Sequence, residues 1–185
     1  MVNALSHHPP VELDDVTVIQ GLGGLADPNN EIHAADLTRR LARALGTKAL
    51  LMPAPGIAGS VGAREAFVRD PHVAEVLRKG RSANLAFMGI GAPRPDSILV
   101  EKGKIVTWQE LAALKKRGAV GDINLRYFDG RGERASSDLD DRVIGLTLDE
   151  IKRIDHVIGV AGGREIQSDP CCFGGKTPRR PHCRP

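Results

Sequence analysis

Aromatic side chains are scarce in this 185-residue chain: one Trp, one Tyr and four Phe, 3% of the residues. Leu, Ile, Val and Ala must therefore fill whatever core it builds. No apolar run approaches the roughly 20 residues that span a bilayer, and Met-Val-Asn-Ala-Leu-Ser-His-His-Pro-Pro at the start lacks the apolar stretch of a secretory signal. A cytoplasmic protein with no membrane partner is expected. Cysteine is absent until Cys171, and Cys171, Cys172 and Cys183 are the only three. A charge bias is also missing from most of the chain. Four basic and one acidic side chain follow Gln167, which leaves 22 of the 26 basic and 22 of the 23 acidic ones in residues 1–166. That balance gives no overall footprint for nucleic acid.

What is present is a set of three apolar stretches that run into glycine. They are Val16-Thr-Val-Ile-Gln-Gly-Leu-Gly-Gly24, Leu85-Ala-Phe-Met-Gly-Ile-Gly91 and Val157-Ile-Gly-Val-Ala-Gly-Gly163. Each reads as a buried strand ending in a loop with little side chain. Such strands belong to a mostly parallel sheet covered by helices on both faces. Small ligands sit beyond the carboxyl ends of strands in sheets of that kind. Glycine there lets backbone N–H groups approach a ligand, and a helix N-terminus favours an anion.

The intervening segments fit an α/β order. Asp27-Pro-Asn-Asn30 supplies caps for a helix over Glu31–Leu45, ended by Gly46. Lys48–Met52 reads as a second strand, followed by a proline-stiffened loop through Gly59 and a short helix over Ala63–Val68. Asp70-Pro71 opens another helix, with Val73, Val76 and Leu77 on its inner face. Ile98–Val106 follows a loop. Thr107-Trp-Gln-Glu110 and Thr147-Leu-Asp-Glu150 are capping boxes. Ala119–Phe128 reads as one strand or bent strand, with turns at Asp129-Gly130 and Arg131-Gly132. Val143–Leu146 and His156–Val160 read as further strands. Residues 1–15 form an arm, 16–166 a single domain and 167–185 an irregular tail. In that tail Cys171, Cys172, His182 and Cys183 do not match paired zinc spacing. A shifted reading frame is one origin for it, which comparison of the coding DNA in the other two frames tests.

Three constellations carry possible chemistry. Gly21-Leu-Gly-Gly-Leu-Ala26 reads as a phosphate cradle or as a tight strand-to-helix turn. It is neither Gly-x-Gly-x-x-Gly nor a nucleotide P-loop. In Gly118-Ala-Val-Gly-Asp-Ile-Asn-Leu-Arg-Tyr-Phe-Asp129, Asp122 suits sugar hydroxyls and Arg126 a phosphate. Position parity puts the two on one strand face, where a mutual salt bridge is the plainer reading. Asp140, Asp141 and Arg142 stand just before a buried strand, either facing a crevice or capping the loop. The histidines show no metal or triad spacing, Trp108 reads as a packing anchor, and no cofactor or metal is called for.

The order of Gly23-Gly24-Leu25, Gly89-Ile-Gly91 with Asp96-Ser97, Gly118-Ala-Val-Gly-Asp-Ile123, Asp141-Arg-Val-Ile-Gly145 and Val160-Ala-Gly-Gly163 resembles the sugar-binding domains of SorC/DeoR-type bacterial transcription regulators. The resemblance covers about residues 11–166. It implies a fold related to ribose-phosphate isomerases and glucosamine-phosphate deaminases, and a phosphorylated sugar bound as effector without turnover. It implies phosphate held at Gly23, Gly24 and Leu25, and a sugar pocket lined by Gly89, Gly91, Asp122 and Asp141. It further implies a homo-oligomer, with DNA reached only through a helix-turn-helix that this chain does not contain. Leu25 stands where relatives often carry Thr, and Ile166 where many carry Lys. The rival readings are a sugar-phosphate isomerase or deaminase using Asp122 or Asp141 as base, and a pure interaction module.

Overall fold

The computed structural model describes residues 13–25, 34–95, 106–135 and 138–161. The expected arm over its first twelve residues, the Asp27–Asn30 caps, Asp96-Ser97, nearly all of the Ile98–Val106 stretch and the Cys-bearing tail lie outside them. The chain divides into two compact units, one built from residues up to Gly80 together with Arg142–Leu146, the other from Arg81–Asp141 and the residues from Thr147 onward. The stretch expected as one domain over 16–166 has residues in both units.

In the first unit β1 (Thr17–Ile19) pairs in parallel with β2 (Lys48–Leu50). Helix α1 (Ala34–Ala44) connects them and packs on both. It buries Ala42, carries Asp36 in its first turn and Arg43 in its last, matching the helix dipole. Gly46 closes it at φ 62°, and the Thr47 N–H reaches back to the Ala42 carbonyl at 2.9 Å. Helix α2 (Val61–Arg69) starts at Ser60, whose hydroxyl accepts from the Ala63 N–H at 3.2 Å. Helix α3 (Pro71–Arg81) starts under Asp70, whose carboxylate accepts from the N–H of His72 and Val73. Its buried face is the expected Val73, Val76 and Leu77.

In the second unit β3 (Leu85–Gly89) pairs in parallel with β6 (His156–Val160). Helix α4 (Trp108–Lys116) packs against β4 (Ala119–Ile123), which pairs antiparallel with β5 (Arg126–Asp129). A 3-10 turn (Asp140–Arg142) ends this unit's first stretch, and the single turn α5 (Leu148–Ile151) begins its second. Both capping boxes form in full, at Thr107–Glu110 and Thr147–Glu150. Parallel pairs joined through helices make the fold α/β, as the strand–helix alternation predicts.

Three expectations need correction. Ala119–Phe128 is a hairpin rather than one strand: Asn124 and Leu125 take φ of 52° and 59° and turn the chain in two residues. Leu is not a turn-former, and its side chain is 2% exposed; burial holds it in a conformation its backbone preference opposes. Second, the stretches ending at Gly91 and Gly163 are not strands buried on both faces. Ala86 and Met88 are buried, but Leu85 and Phe87 are exposed, beside Ile158 across the register. Third, Val143–Leu146 forms no regular strand; it is held by isolated bridges, Leu22 to Gly145 and Ile57 to Val143.

Close backbone approach here requires glycine: a Cβ on Gly145 would stand 2.9 Å from the Gly21 carbonyl oxygen. A Cβ on Gly23 would stand 2.7 Å from the Ala54 carbonyl oxygen and closer still to Pro55. Gly59, by contrast, faces open space. Gly23→Ala is expected to cost about 3 kcal/mol, because backbone cannot give way. Gly59→Ala should be neutral or stabilise by up to about 1 kcal/mol. Urea unfolding of the two variants checks the contrast.

Candidate functional site

The first glycine loop is closed by main chain. Gly23 donates its N–H to the Ile144 carbonyl at 2.9 Å and Gly24 to the Ala54 carbonyl at 2.8 Å. Gly24 in turn accepts from the Gly56 N–H at 2.7 Å, and Ile144 donates to the Gly56 carbonyl at 2.9 Å. Leu146 donates to the Gly21 carbonyl at 3.0 Å. A backbone N–H serves one strong acceptor at a time. The amides of Gly23 and Gly24 are therefore engaged, and the expected cradle of open amides is not what these glycines build. They let three segments lie against one another. Leu25 follows with its side chain against Gly56, where a Cβ would meet Leu25 Cδ2 at 2.6 Å.

The remaining candidates lie in the second unit. Gly89 ends β3 with open space where a Cβ would stand. Two residues on, Gly91 exchanges both backbone bonds with Asp122, at 2.9 and 3.0 Å. A Cβ on Gly91 would collide with Asp122 Oδ1. The glycine thus makes room for a carboxylate at the carboxyl end of a parallel strand. Asp122 is 6% exposed, flanked on β4 by Gly121, where a Cβ would strike the Phe128 ring at 2.5 Å. Gly91 and Asp122 are brought together, while Gly89 pairs with Val160 at the end of β3.

Asp122 and Arg126 are not placed as parity suggests. The two-residue turn sets Asp122 opposite Tyr127 and Ile123 opposite Arg126, so Asp122 and Arg126 take opposite faces of the hairpin. Arg126, expected as a phosphate partner, is 5% exposed and donates from Nη1 to Asp140 Oδ1 at 2.7 Å and to the Asp140 carbonyl. Arg134 donates from Nε to the other Asp140 oxygen and from Nη2 to Asp141 Oδ1 at 2.9 Å. Burial opposes the Arg134 charge, but the Asp140 and Asp141 carboxylates outweigh it and hold its pKa above the ordinary value. Asp140 is 4% exposed, whereas Asp141 stands more than half exposed at the end of this chain of charges.

Arg134 is the member that sequence reasoning missed. Its only local signal is its position six residues before Asp140, beyond the turn set by Asp129, whose carboxylate accepts from the N–H of Arg131 and Glu133. Among the described residues no group of His, Cys, Asp and Glu is arranged to hold a metal ion, and no helix is long and apolar enough to cross a membrane.

A family model described as "Putative sugar-binding domain" matches residues 1–168. The Deoxyribonucleoside regulator of Bacillus subtilis is 30% identical over 168 residues, 90% of this chain and 53% of that protein. Transcriptional regulator LsrR of Klebsiella pneumoniae is 35% identical over 120 residues, 62% of this chain and 36% of its own length. The chain spans about half or less of the length of these curated relatives. A solved sugar-binding domain of a transcriptional repressor from Vibrio fischeri superposes with a TM-score of 0.78 at 27% identity, covering 93% of this chain and 67% of that one. A sor operon regulator from Shigella flexneri gives 0.81 at 20% identity, over 95% of this chain and 69% of that one, which speaks to fold alone.

Two measurements test the buried charges. Arg126→Met leaves the buried Asp140 with only the half-exposed Arg134 as its charge partner and is expected to cost about 3 kcal/mol in urea unfolding, while Arg126→Met with Asp140→Leu recovers most of it. The second concerns Tyr127, 3% exposed and the sole tyrosine. Burial, then the Asp122 and Glu110 carboxylates, raise its pKa well above the usual phenol value. The unfolded phenol ionises near pH 10, so the folded state keeps a proton that the unfolded state releases. Stability should fall as pH rises past about 10, and tyrosinate absorbance should appear only with unfolding. Tyr127→Phe should flatten that decline.

Proposed function

The chain belongs to the sugar-binding domain family of SorC-, DeoR- and LsrR-type transcriptional regulators, and from that premise we propose that it binds a phosphorylated sugar as an effector and does not turn it over. The observation that carries the reading is the family match over residues 1–168. The local geometry is consistent with it. Gly91 and Asp122 put a carboxylate at the carboxyl end of β3, where open α/β sheets receive ligands. A carboxylate accepts hydrogen bonds from hydroxyls and repels phosphate, so Asp122 and Asp141 serve the sugar end.

The phosphate end differs from the expectation drawn from the sequence. The Gly23 and Gly24 amides are donated to Ile144 and Ala54, so neither supplies a free donor, and the buried Arg126 holds Asp140 through Nη1. Gly23, Gly24 and Leu25 act by shaping the loop against Pro55 and Gly56. Effector binding then works by population shift, favouring the arrangement that holds the sugar. The relatives are transcriptional regulators, and in that setting DNA and further copies of the chain are the partners through which such a shift is read.

Calorimetry on the full chain with ribose 5-phosphate, 2-deoxyribose 5-phosphate, fructose 6-phosphate, glucosamine 6-phosphate and inorganic phosphate tests this. At least one sugar phosphate should bind at or below millimolar concentration and be recovered unchanged after prolonged incubation. Asp122→Asn should weaken that binding by about tenfold or more, the size of one hydrogen bond to a charged group. Absence of binding across the panel, or conversion of the sugar that Asp122→Asn abolishes, overturns the reading.

A further inference from the structure

Arg134 lies outside every motif that carries the family resemblance, yet it completes a relay. Arg126, buried on β5, fixes Asp140 through the carboxylate at 2.7 Å and through the carbonyl. Asp140 spends its second oxygen on Arg134, and Arg134 spends its remaining arm on Asp141 Oδ1 at 2.9 Å. The exposed carboxylate at the end of this relay is thus oriented from the interior outward. Its other oxygen, Oδ2, accepts no hydrogen bond from any of the described residues.

The arrangement has a physical consequence. A half-exposed aspartate on its own samples several rotamers and directs neither oxygen. Bonded through one oxygen to a planar guanidinium that is itself held by a buried carboxylate, it has one oxygen left, in a defined direction. That oxygen is a pure acceptor suited to a neutral donor such as a hydroxyl, and it is unsuited to a phosphate.

We infer that Arg134 is a positioning residue for the effector: by clamping Asp141 Oδ1 it presents Oδ2 to one hydroxyl of the sugar, and so contributes to telling a sugar phosphate from a bare phosphate. The inference rests on the proposed function above, which supplies the sugar. Arg134 touches no ligand in this scheme; it acts through Asp141. A lysine in its place offers a single point charge and cannot bridge both carboxylates in one plane.

The test compares the tightest sugar phosphate of the panel with inorganic phosphate, by calorimetry on the full chain. Asp141→Asn and Arg134→Ala should each weaken sugar-phosphate binding by about tenfold and leave inorganic phosphate unchanged. The double variant should lose no more than either single one, because both remove the same contact. Arg134→Lys should fall between wild type and Arg134→Ala. Circular dichroism and urea unfolding establish that each variant folds, and Arg134→Gln replaces Arg134→Ala if the latter does not. Unchanged sugar affinity in the arginine variant, equal losses for both probes, or additive losses in the double variant overturn the inference while the effector reading stands. Failure of the wild-type chain to bind any sugar phosphate removes both together.

Discussion

The Asp140 carboxylate, shut away from water between two guanidinium groups, is the constraint on which much of the second unit depends. Removing such a charge from water costs several kcal/mol, and only good geometry repays it. Here the repayment comes from Arg126 through one bond to Oδ1 and from Arg134 through one to Oδ2. Each bond ties a different stretch to the same point: β5 through Arg126, the segment after the Asp129 turn through Arg134, and the 3-10 turn through Asp140 itself. Apolar side chains could fill that volume at similar stability. They would not fix the direction in which Asp141 leaves it.

Glycine imposes the second constraint, in a manner opposite to the one its sequence pattern suggests. Glycine-rich loops after strands invite the idea of bare amides around an anion. At Gly23 and Gly24 the amides are bare of side chain but fully used by neighbouring carbonyls. What the missing Cβ permits is contact between backbones, and at Gly91 contact between a backbone and a carboxylate. Recognition therefore shifts from main-chain donors to side-chain acceptors. In the proposed function that shift would make the hydroxyl-bearing end of the ligand, rather than its phosphate, the part read by Asp122 and Asp141.

How much of this could be read from the residues alone depends on the range of the interaction. Local chemistry was legible: the capping boxes at Thr107 and Thr147, the Asp70-Pro71 helix start and the Gly46 stop all form as their side chains demand. Helical periodicity placed Val73, Val76 and Leu77 inward. The Asn124-Leu125 turn was not legible, because a buried leucine overrides the propensity that marks turns. Missing that turn reversed the faces assigned to Asp122 and Arg126. The Arg126–Asp140 bond joins residues 14 apart across an irregular loop, and no period or spacing announces it. Of the candidate residues, Gly91 and Asp122 meet through paired backbone bonds, while the use made of Gly23, Gly24 and Arg126 required knowing who accepts their hydrogens.

Energetics connect a contact of this kind to regulation. A hydrogen bond to a charged group contributes about 1.5–3 kcal/mol, and coupling free energies between an effector and a second site are of similar size, about 1–3 kcal/mol. An effector can shift an equilibrium only by the difference in its affinity for the two states. A sensor therefore does not need a tight or elaborate pocket. It needs one contact that exists in one arrangement and not in the other. In the proposed sensor, a carboxylate tied through the half-exposed Arg134 to the buried Asp140 and Arg126 would meet that requirement better than a free one. In the proposed sensor its geometry follows from Arg126, Asp140 and Arg134, so a displacement of the segment that carries it would withdraw the contact as a unit rather than let the side chain follow the ligand.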